Sequence, residues 1–262
     1  MNTKFEKIYV VSVPSFKKRY NFVKKQLDDL EIDFEFVWGT DLGNINKDSL
    51  GYKINYPQLW TQETYCTGKD FSCTINHYNA VFQAYEFGYN NVLIMEDDIC
   101  FIKDKELIKQ MLNEIPDDAD FITYDPRFYS NHDYDRFNYN IHCCDSLFMK
   151  ETPGEYDCMF GAILYGIMNR ETMKLYLDNQ RKQLMMSDQV KGLFTDVTVN
   201  KYVASKCICT DEVNIQSNFV PTSIIGAYIN NYRYIKDLSV DEFYVPEEFH
   251  AHERWQRFLY RV

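Results

Sequence analysis

The sequence predicts an α/β protein whose sheet is built largely from parallel strands. Short apolar runs of strand length alternate along the chain with amphipathic segments of helical period. One of the strands, residues 91–99, leads directly into three consecutive carboxylates. With 262 residues, of which 45% are hydrophobic, the chain can bury the core of one large domain.

The opening unit reads as strand, helix, strand. Residues 8–13 form a continuous apolar run that ends at Pro14, as expected of a buried parallel strand. Ser15 is the expected N-cap of the next helix, and residues 33–37 read as the second strand. This order implies a right-handed crossover into a parallel sheet. The helix has one apolar face, formed by Phe16, Tyr20, Val23, Leu27 and Leu30.

A second helix and strand follow a polar, irregular segment. Residues 72–87 have a helical period, and Gly88 stands where a C-cap glycine belongs. The strand that ends in the carboxylates comes next. A further helix is predicted over residues 105–115 and a further strand over residues 120–124. These alternating units extend the same sheet.

The later part of the chain is less regular. Residues 126–156 show no period, and a segment of this length inside a domain is typical of a functional loop or lid. Residues 160–168 are apolar and residues 170–179 look helical. A helix is also predicted over residues 196–204, followed by a strand near residues 207–209. We expect one domain over residues 1–225, with residues 226–262 packed on it or extending it.

Charge and cysteine usage limit the classes of function. The net charge of −11 argues against a nucleic-acid partner and does not favour an anionic membrane surface. None of the eight cysteines forms a Cys-x-x-Cys pair, so a structural zinc site is poorly supported. The chain shows no signal-peptide core and no apolar run of membrane-spanning length. We therefore expect a cytoplasmic protein with reduced cysteines.

Glu96, Asp97 and Asp98 form the acidic cluster at the strand end. In open α/β sheets, ligands bind outside the carboxyl ends of the strands. Carboxylate oxygens at this edge suit a hard divalent cation, and such a cation can bridge the phosphates of a nucleotide. The alternative interpretation is a solvated acidic turn, which is common after a strand.

The residues around the cluster resemble glycosyltransferase family 25, which includes bacterial lipooligosaccharide galactosyltransferases and relatives that glycosylate collagen. Residues 71–78, the helix and residues 92–99 match its Gly-x-x-x-Cys-x-x-Ser-His stretch, helix and strand ending in Glu-Asp-Asp. Gly68 and Cys73 are one residue further apart than in that signature, and Asn76 replaces its serine.

This resemblance implies a GT-A fold, a Rossmann-like, mixed and mostly parallel sheet flanked by helices. It also implies an inverting enzyme that transfers a hexose, most often galactose, from a UDP-sugar to a glycan or glycoconjugate hydroxyl. Mn²⁺ or Mg²⁺ is the implied cofactor, and the acidic motif takes the place of the Asp-x-Asp of other GT-A enzymes.

The acidic motif and Arg19 are the predicted nucleotide-binding residues. Asp98 is the predicted metal ligand, and Glu96 is predicted to contact the ribose, or the metal through water. Because residues i and i+2 of a strand point the same way, Glu96 and Asp98 are expected to share a site while Asp97 faces elsewhere. For Arg19, a solvated helical face shared with Lys17 and Lys18 is an equal alternative.

Inversion needs one base that takes a proton from the acceptor hydroxyl. Asp188 is the candidate, with a helix N-cap as the alternative interpretation, and Asp157 and Asp196 are fallback bases. His250 and His252 resemble the C-terminal histidine that completes the metal site in some GT-A enzymes.

Four further residues are candidates for a structural or a functional role. His77 on the helix before the acidic strand is expected to be a hydrogen-bonded structural residue rather than a ligand. Tyr9, Trp38 and Asp41 lie near strand ends where a nucleotide base can stack, although core packing is the expected role of the two aromatic residues.

Other classes of protein compete with this interpretation. One is a catalytically inactive relative that binds glycans or serves in assembly, and the intact acidic motif argues against it. A nucleotidyltransferase would carry a glycine-rich loop after the first strand, and residues 13–16 contain no glycine. A glycoside hydrolase would need a second acidic strand end, and none is apparent.

Overall fold

The structure is a computed structural model. It describes residues 1–39, 68–124, 126–127, 146–150, 159–160, 163–182, 199–206 and 208–211. In this part of the chain, helices cover both faces of a seven-stranded sheet. No helix among these residues is long and apolar enough to cross a membrane.

The strands and helices alternate through most of the described chain. The helices are α1 (Lys17–Asp29), α2 (Gly68–Glu86), α3 (Lys105–Asn113) and α4 (Arg170–Lys182). The strands are β1 (Lys7–Ser12), β2 (Glu35–Trp38), β3 (Val92–Glu96), β4 (Ile99–Phe101), β5 (Phe121–Thr123), β6 (Pro126–Arg127), β7 (Phe148–Lys150), β8 (Met159–Phe160), β9 (Leu164–Ile167), β10 (Lys201–Ala204) and β11 (Cys209–Asp211).

The large sheet has the strand order β2-β1-β3-β9-β5-β10-β7. β1 pairs in parallel with both β2 and β3, and β5 pairs in parallel with β10. β9 runs antiparallel between β3 and β5, and β7 runs antiparallel at the edge beside β10. Five strands therefore point one way and two point the other. The predicted Rossmann-like α/β fold, with a mixed and mostly parallel sheet, is confirmed.

Strand alternation divides the core between the two faces. Leu93 and Met95 of β3 pack into a cluster with side chains of α1 and α3. Val92 and Ile94 point to the opposite face, where side chains of α2 and α4 cover them. This alternation follows from the two-residue period of a strand. It also determines which helix each residue at the end of β3 can reach.

The helix predicted over residues 196–204 is wrong in its described part. Residues 201–204 are strand β10, which hydrogen-bonds to β5 on one side and β7 on the other. Tyr202 and Val203 favour strands, and hydrogen bonding to two neighbouring strands outweighs a weak helical period in the sequence. β7 itself lies in the segment that the sequence predicts to be irregular.

Two predictions about helix ends had different outcomes. Gly88 follows α2 with φ +84°, the left-handed conformation that the C-cap prediction requires. The predicted N-cap at Ser15 is wrong, because Phe16 is the N-cap of α1 and no side chain caps this end.

Candidate functional site at the carboxyl edge of the sheet

The acidic cluster lies at the carboxyl edge formed by β1, β2 and β3. In the register of these strands, Val11 of β1 pairs with Glu96 on one side and Val37 on the other. Ser12 pairs with Trp38 in the next row. β3 ends at Glu96, the chain turns through residues 97–98, and β4 begins at Ile99.

Glu96 belongs to the side of the sheet that α2 covers, two residues after Ile94. His77 on α2 is fully buried, and its Nε2 lies 3.2 Å from Glu96 Oε1. The Nδ1 atom of the same ring lies 3.0 Å from the Tyr165 hydroxyl. Cys73, one turn earlier on α2, donates its thiol proton to Glu96 Oε1 over 3.7 Å. Two side chains of α2 therefore contact the same oxygen of Glu96.

Cys73, His77 and Glu96 form a compact set of potential ligands. One ligand atom from each lies within 4.8 Å of the other two. A thiol, an imidazole and a carboxylate suit a softer ion such as Zn²⁺ better than Mn²⁺ or Mg²⁺. The same three groups also satisfy one another through hydrogen bonds.

Asp97 points to the other side of the sheet and is 3% exposed. The Ser12 hydroxyl donates to its Oδ2 over 2.6 Å, and Arg19 Nη2 lies 2.6 Å from its Oδ1. Burial raises the pKa of Asp97 above its usual range, and the Arg19 charge and the Ser12 hydrogen bond partly offset this. Both carboxylate oxygens of Asp97 are thus used inside the protein.

Asp98 meets the same guanidinium. Arg19 Nη2 lies 2.6 Å from Asp98 Oδ2, and the Asp98 side chain is 17% exposed. Burial by itself lowers the pKa of Arg19, but the carboxylates of Asp98, Asp97 and Glu96 outweigh it and raise that pKa. One buried arginine therefore contacts two consecutive aspartates and offsets part of their charge.

The structure brings together four of the predicted nucleotide-site residues, Glu96, Asp97, Asp98 and Arg19. The expectation that Asp97 faces away while Glu96 and Asp98 point together is wrong. Strand alternation ends at Glu96, so the turn carries Asp98 to the side of Asp97, where Arg19 reaches both. The alternative that Arg19 lies on a solvated helical face is also wrong, because Arg19 is only 8% exposed.

Two aromatic residues near the carboxyl edge have different environments. Tyr9 is fully buried, in agreement with the predicted core role. Trp38 is 49% exposed, so core packing is the wrong role for it. Its ring stacks on Phe36, with centroids 4.7 Å apart, and meets Tyr20 edge to face. Trp38 lies two strands from β3, about 10 Å across the sheet.

Sequence reasoning missed the contributions of Ser12, Tyr165 and Gly39. Ser12 is the last residue of β1, and that position at the carboxyl edge was the available signal. Gly39 has no side chain, and this leaves room for Asn76. A Cβ at position 39 would lie only 2.0 Å from Asn76 Cγ. Asn76, which replaces the signature serine, is 4% exposed.

Several predicted residues lie outside the described part of the chain. These are the candidate base Asp188, the fallback bases Asp157 and Asp196, and Asp41, His250 and His252. The proposed C-terminal segment, residues 226–262, lies there too.

The metal ion implied by the resemblance can be tested against the donor set. Glu96 and Asp98 have side chains that are 22% and 17% exposed at the edge of the sheet, and both supply carboxylate oxygens. These oxygens are of the type that a hard divalent cation binds, although the two side chains lie on different sides of the sheet and Arg19 contacts Asp98 Oδ2. Asp97 does not fit such a cation, because Ser12 and Arg19 already use its oxygens.

Comparisons with known structures give distant matches. A glycosyltransferase involved in the glycosylation of the major capsid of PBCV-1 is similar with 12% identity and a TM-score of 0.41, over 88% of this chain and 91% of that one. The apo-form glycosyltransferase GlyE of Streptococcus pneumoniae TIGR4 is similar with 13% identity and a TM-score of 0.43. That match covers 98% of this chain and 60% of GlyE. No curated protein matches the sequence.

The family comparison is more extensive. Residues 5–189 match the family model described as "Glycosyltransferase family 25 (LPS biosynthesis protein)". The matched range includes β1, Arg19, α2 and the acidic cluster. The chain therefore belongs to glycosyltransferase family 25 and is a glycosyl-transferring enzyme.

Proposed function

We propose that this protein is an inverting, metal-dependent glycosyltransferase that moves galactose from UDP-galactose to a hydroxyl of a glycan or glycoconjugate. The observation that carries the proposal is the arrangement of the acidic turn. Asp97, the middle residue, is buried, while Glu96 and Asp98 are partly exposed at the carboxyl edge of the sheet. The choice of galactose rests on the resemblance to the family's galactosyltransferases.

Glu96 and Asp98 are the proposed ligands of Mn²⁺ or Mg²⁺. When bound, the ion supplies positive charge that stabilises the diphosphate leaving group. Arg19, at 2.6 Å from Asp98 Oδ2, offsets part of the negative charge of the turn. The protein can therefore accept an anionic nucleotide at an edge that carries three carboxylates.

Asp97 has a different role from its neighbours. Its two buried contacts, to Ser12 on β1 and Arg19 on α1, tie the turn to two rigid elements. A turn held by two elements keeps the neighbouring Asp98 in place. We therefore assign Asp97 to positioning and not to metal binding.

Trp38 is the proposed stacking partner of the uracil ring. About half of its side chain reaches solvent, and Phe36 and Tyr20 hold its ring in place. The distance of about 10 Å between β2 and β3 suits a nucleotide whose base lies over β2 and whose phosphates lie at β3. An aromatic ring provides the flat apolar surface that a base needs.

Asp188 remains the proposed base. It would take the proton from the acceptor hydroxyl as that oxygen attacks the anomeric carbon, which inverts the configuration in one step. The family match extends to residue 189 and so includes this aspartate.

The proposal is tested by thermal shift and donor hydrolysis with UDP-galactose, UDP-glucose and UDP-N-acetylglucosamine, each with and without Mn²⁺. We expect UDP to stabilise the protein only when Mn²⁺ is present, and we expect hydrolysis of UDP-galactose. Asp98→Asn should abolish both effects. Asp117→Asn is the matched control, because Asp117 is fully exposed just before β5, at the opposite edge of the sheet.

Other results would change the assignment in defined ways. Hydrolysis of a different donor would replace galactose but keep the reaction. UDP stabilisation without Mn²⁺ would remove the metal from the mechanism. Absence of any response to nucleotides would favour the inactive relative that binds glycans or serves in assembly.

A further inference from the structure

A line of hydrogen bonds connects the middle of the sheet to the acidic turn. The Tyr165 hydroxyl lies 3.0 Å from His77 Nδ1, and His77 Nε2 lies 3.2 Å from Glu96 Oε1. Tyr165 and His77 are both fully buried, whereas the Glu96 side chain is 22% exposed. The line therefore runs from the protein interior to the surface site.

The chemistry of the three groups determines the direction of each hydrogen bond. An ionised Glu96 can only accept, so His77 Nε2 must carry a proton and donate it. When the ring carries its one proton on Nε2, Nδ1 is an acceptor that the Tyr165 hydroxyl can donate to, although the Tyr176 hydroxyl is also a partner of Tyr165. Burial holds the pKa of Tyr165 well above its usual range, which keeps this hydroxyl protonated.

The elements that carry these groups are rigid. Tyr165 lies on β9 directly opposite Ile94 of β3, two residues before Glu96. His77 and Cys73 lie one turn apart on α2, and both donate to the same oxygen of Glu96. Two donors that converge on one oxygen restrict the rotation of the carboxylate.

We propose that Tyr165 and His77 are positioning residues that orient the Glu96 carboxylate for the metal site. This inference rests on the proposed function, in which Glu96 is a metal ligand. A partner that holds a ligating group in place commonly changes metal affinity or activity by about 10- to 100-fold when it is lost. These hydrogen bonds give His77 a functional consequence through Glu96.

The first test replaces Tyr165 by Phe, which removes one hydroxyl and keeps the ring. We expect Tyr165→Phe to need about 10- to 100-fold more Mn²⁺ for half-maximal donor hydrolysis. Tyr124→Phe is the matched control, since Tyr124 is also fully buried and donates its hydroxyl proton to the Met111 carbonyl. It packs in the cluster on the other face of the sheet, so its Mn²⁺ requirement should equal that of the wild type.

The second test needs neither metal nor activity. The chain has five histidines, so nitrogen NMR of the metal-free protein can assign the His77 ring. We expect a neutral ring protonated at Nε2, and a mixture of tautomers in Glu96→Gln, because the amide can both donate and accept. A wild-type ring protonated at Nδ1 would overturn the proposed line of hydrogen bonds from Tyr165 through His77 to Glu96.

The two tests separate the possible failures. If the wild type responds to Mn²⁺ and Tyr165→Phe has the same Mn²⁺ requirement, the positioning role is wrong and the proposed function stands. If the wild type shows no response to UDP-sugars with Mn²⁺ while NMR gives the expected tautomers, the hydrogen bonds are correct but the proposed function fails, and the positioning role fails with it.

Discussion

The two sides of the acidic turn hold carboxylates by different means. On the side of α1, Arg19 and Ser12 hold Asp97, and the same arginine reaches Asp98. On the side of α2, Glu96 Oε1 receives hydrogen bonds from His77 and Cys73. On the α1 side the carboxylates are held by ion pairs to Arg19, and on the α2 side Glu96 is held by hydrogen bonds to His77 and Cys73.

This difference shows how one short motif can serve both folding and binding. A buried ion pair is costly to break, so the α1 side fixes the position of the turn. Hydrogen bonds orient Glu96 on the α2 side, where its partly exposed carboxylate can attract a cation. The two functions are separated by the face of the sheet to which each side chain points.

The largest effect is expected from removing the cation on the α1 side. Arg19→Met should destabilise the protein by about 3–5 kcal/mol, because Asp97 would remain buried without a partner for its charge. Urea denaturation measures this change. Lys18→Met is the matched control on the exposed face of α1 and should cost less than about 0.5 kcal/mol. Equal effects of the two substitutions would show that the ion pair does not hold the turn.

A smaller effect is expected from packing on the α2 side. Gly39→Ala should destabilise the protein by roughly 1–3 kcal/mol, because its Cβ would overlap the buried amide of Asn76. Adding Asn76→Ser should recover most of this loss, since serine is shorter. The comparison is made by urea denaturation of the two single variants and the double variant. Strict additivity of the two changes would refute a direct contact between these positions.

Only some of the residues in these two contacts could be identified from the sequence. The strand end with its three carboxylates was visible in the sequence, as was Arg19 after β1. Asn76 was visible as a departure from the family signature, but Gly39 was not linked to it. That link depends on how closely α2 approaches the end of β2, and 36 residues separate the two positions in the chain. Local patterns carry no information about such a distance.

The smallest effect is expected at Tyr9, which shares the α2 face with Tyr165. The Tyr165 hydroxyl bonds to His77, whereas the buried Tyr9 hydroxyl has no hydrogen-bond partner in the described part of the chain. Tyr9→Phe should therefore stabilise the protein by up to about 1 kcal/mol at pH 7. Tyr165→Phe should destabilise it, because the His77 Nδ1 acceptor would lose its donor.

The Tyr9 substitution should also change the response to alkaline pH. Burial, aided by the Glu35 charge, raises the pKa of Tyr9 to about 12. The unfolded chain releases this proton near pH 10. The wild type therefore loses stability as the pH rises from about 10 through 12, and Tyr9→Phe lacks this contribution. The difference in unfolding free energy between Tyr9→Phe and the wild type should therefore grow between these pH values, as measured by denaturation at a series of pH values. A constant difference would contradict the raised pKa of Tyr9.

The sequence by itself determined the class of fold, the acidic strand end and the family of the enzyme. These features are encoded in neighbouring residues, whose period and order follow from the geometry of single strands and helices. Only the tertiary structure decided how the three carboxylates divide. Glu96 lies at the last strand position and follows the alternation of β3, while Asp98 lies in the turn and does not. Which carboxylate meets Arg19 and which meets His77 therefore depends on the two helices packed on opposite faces of the sheet.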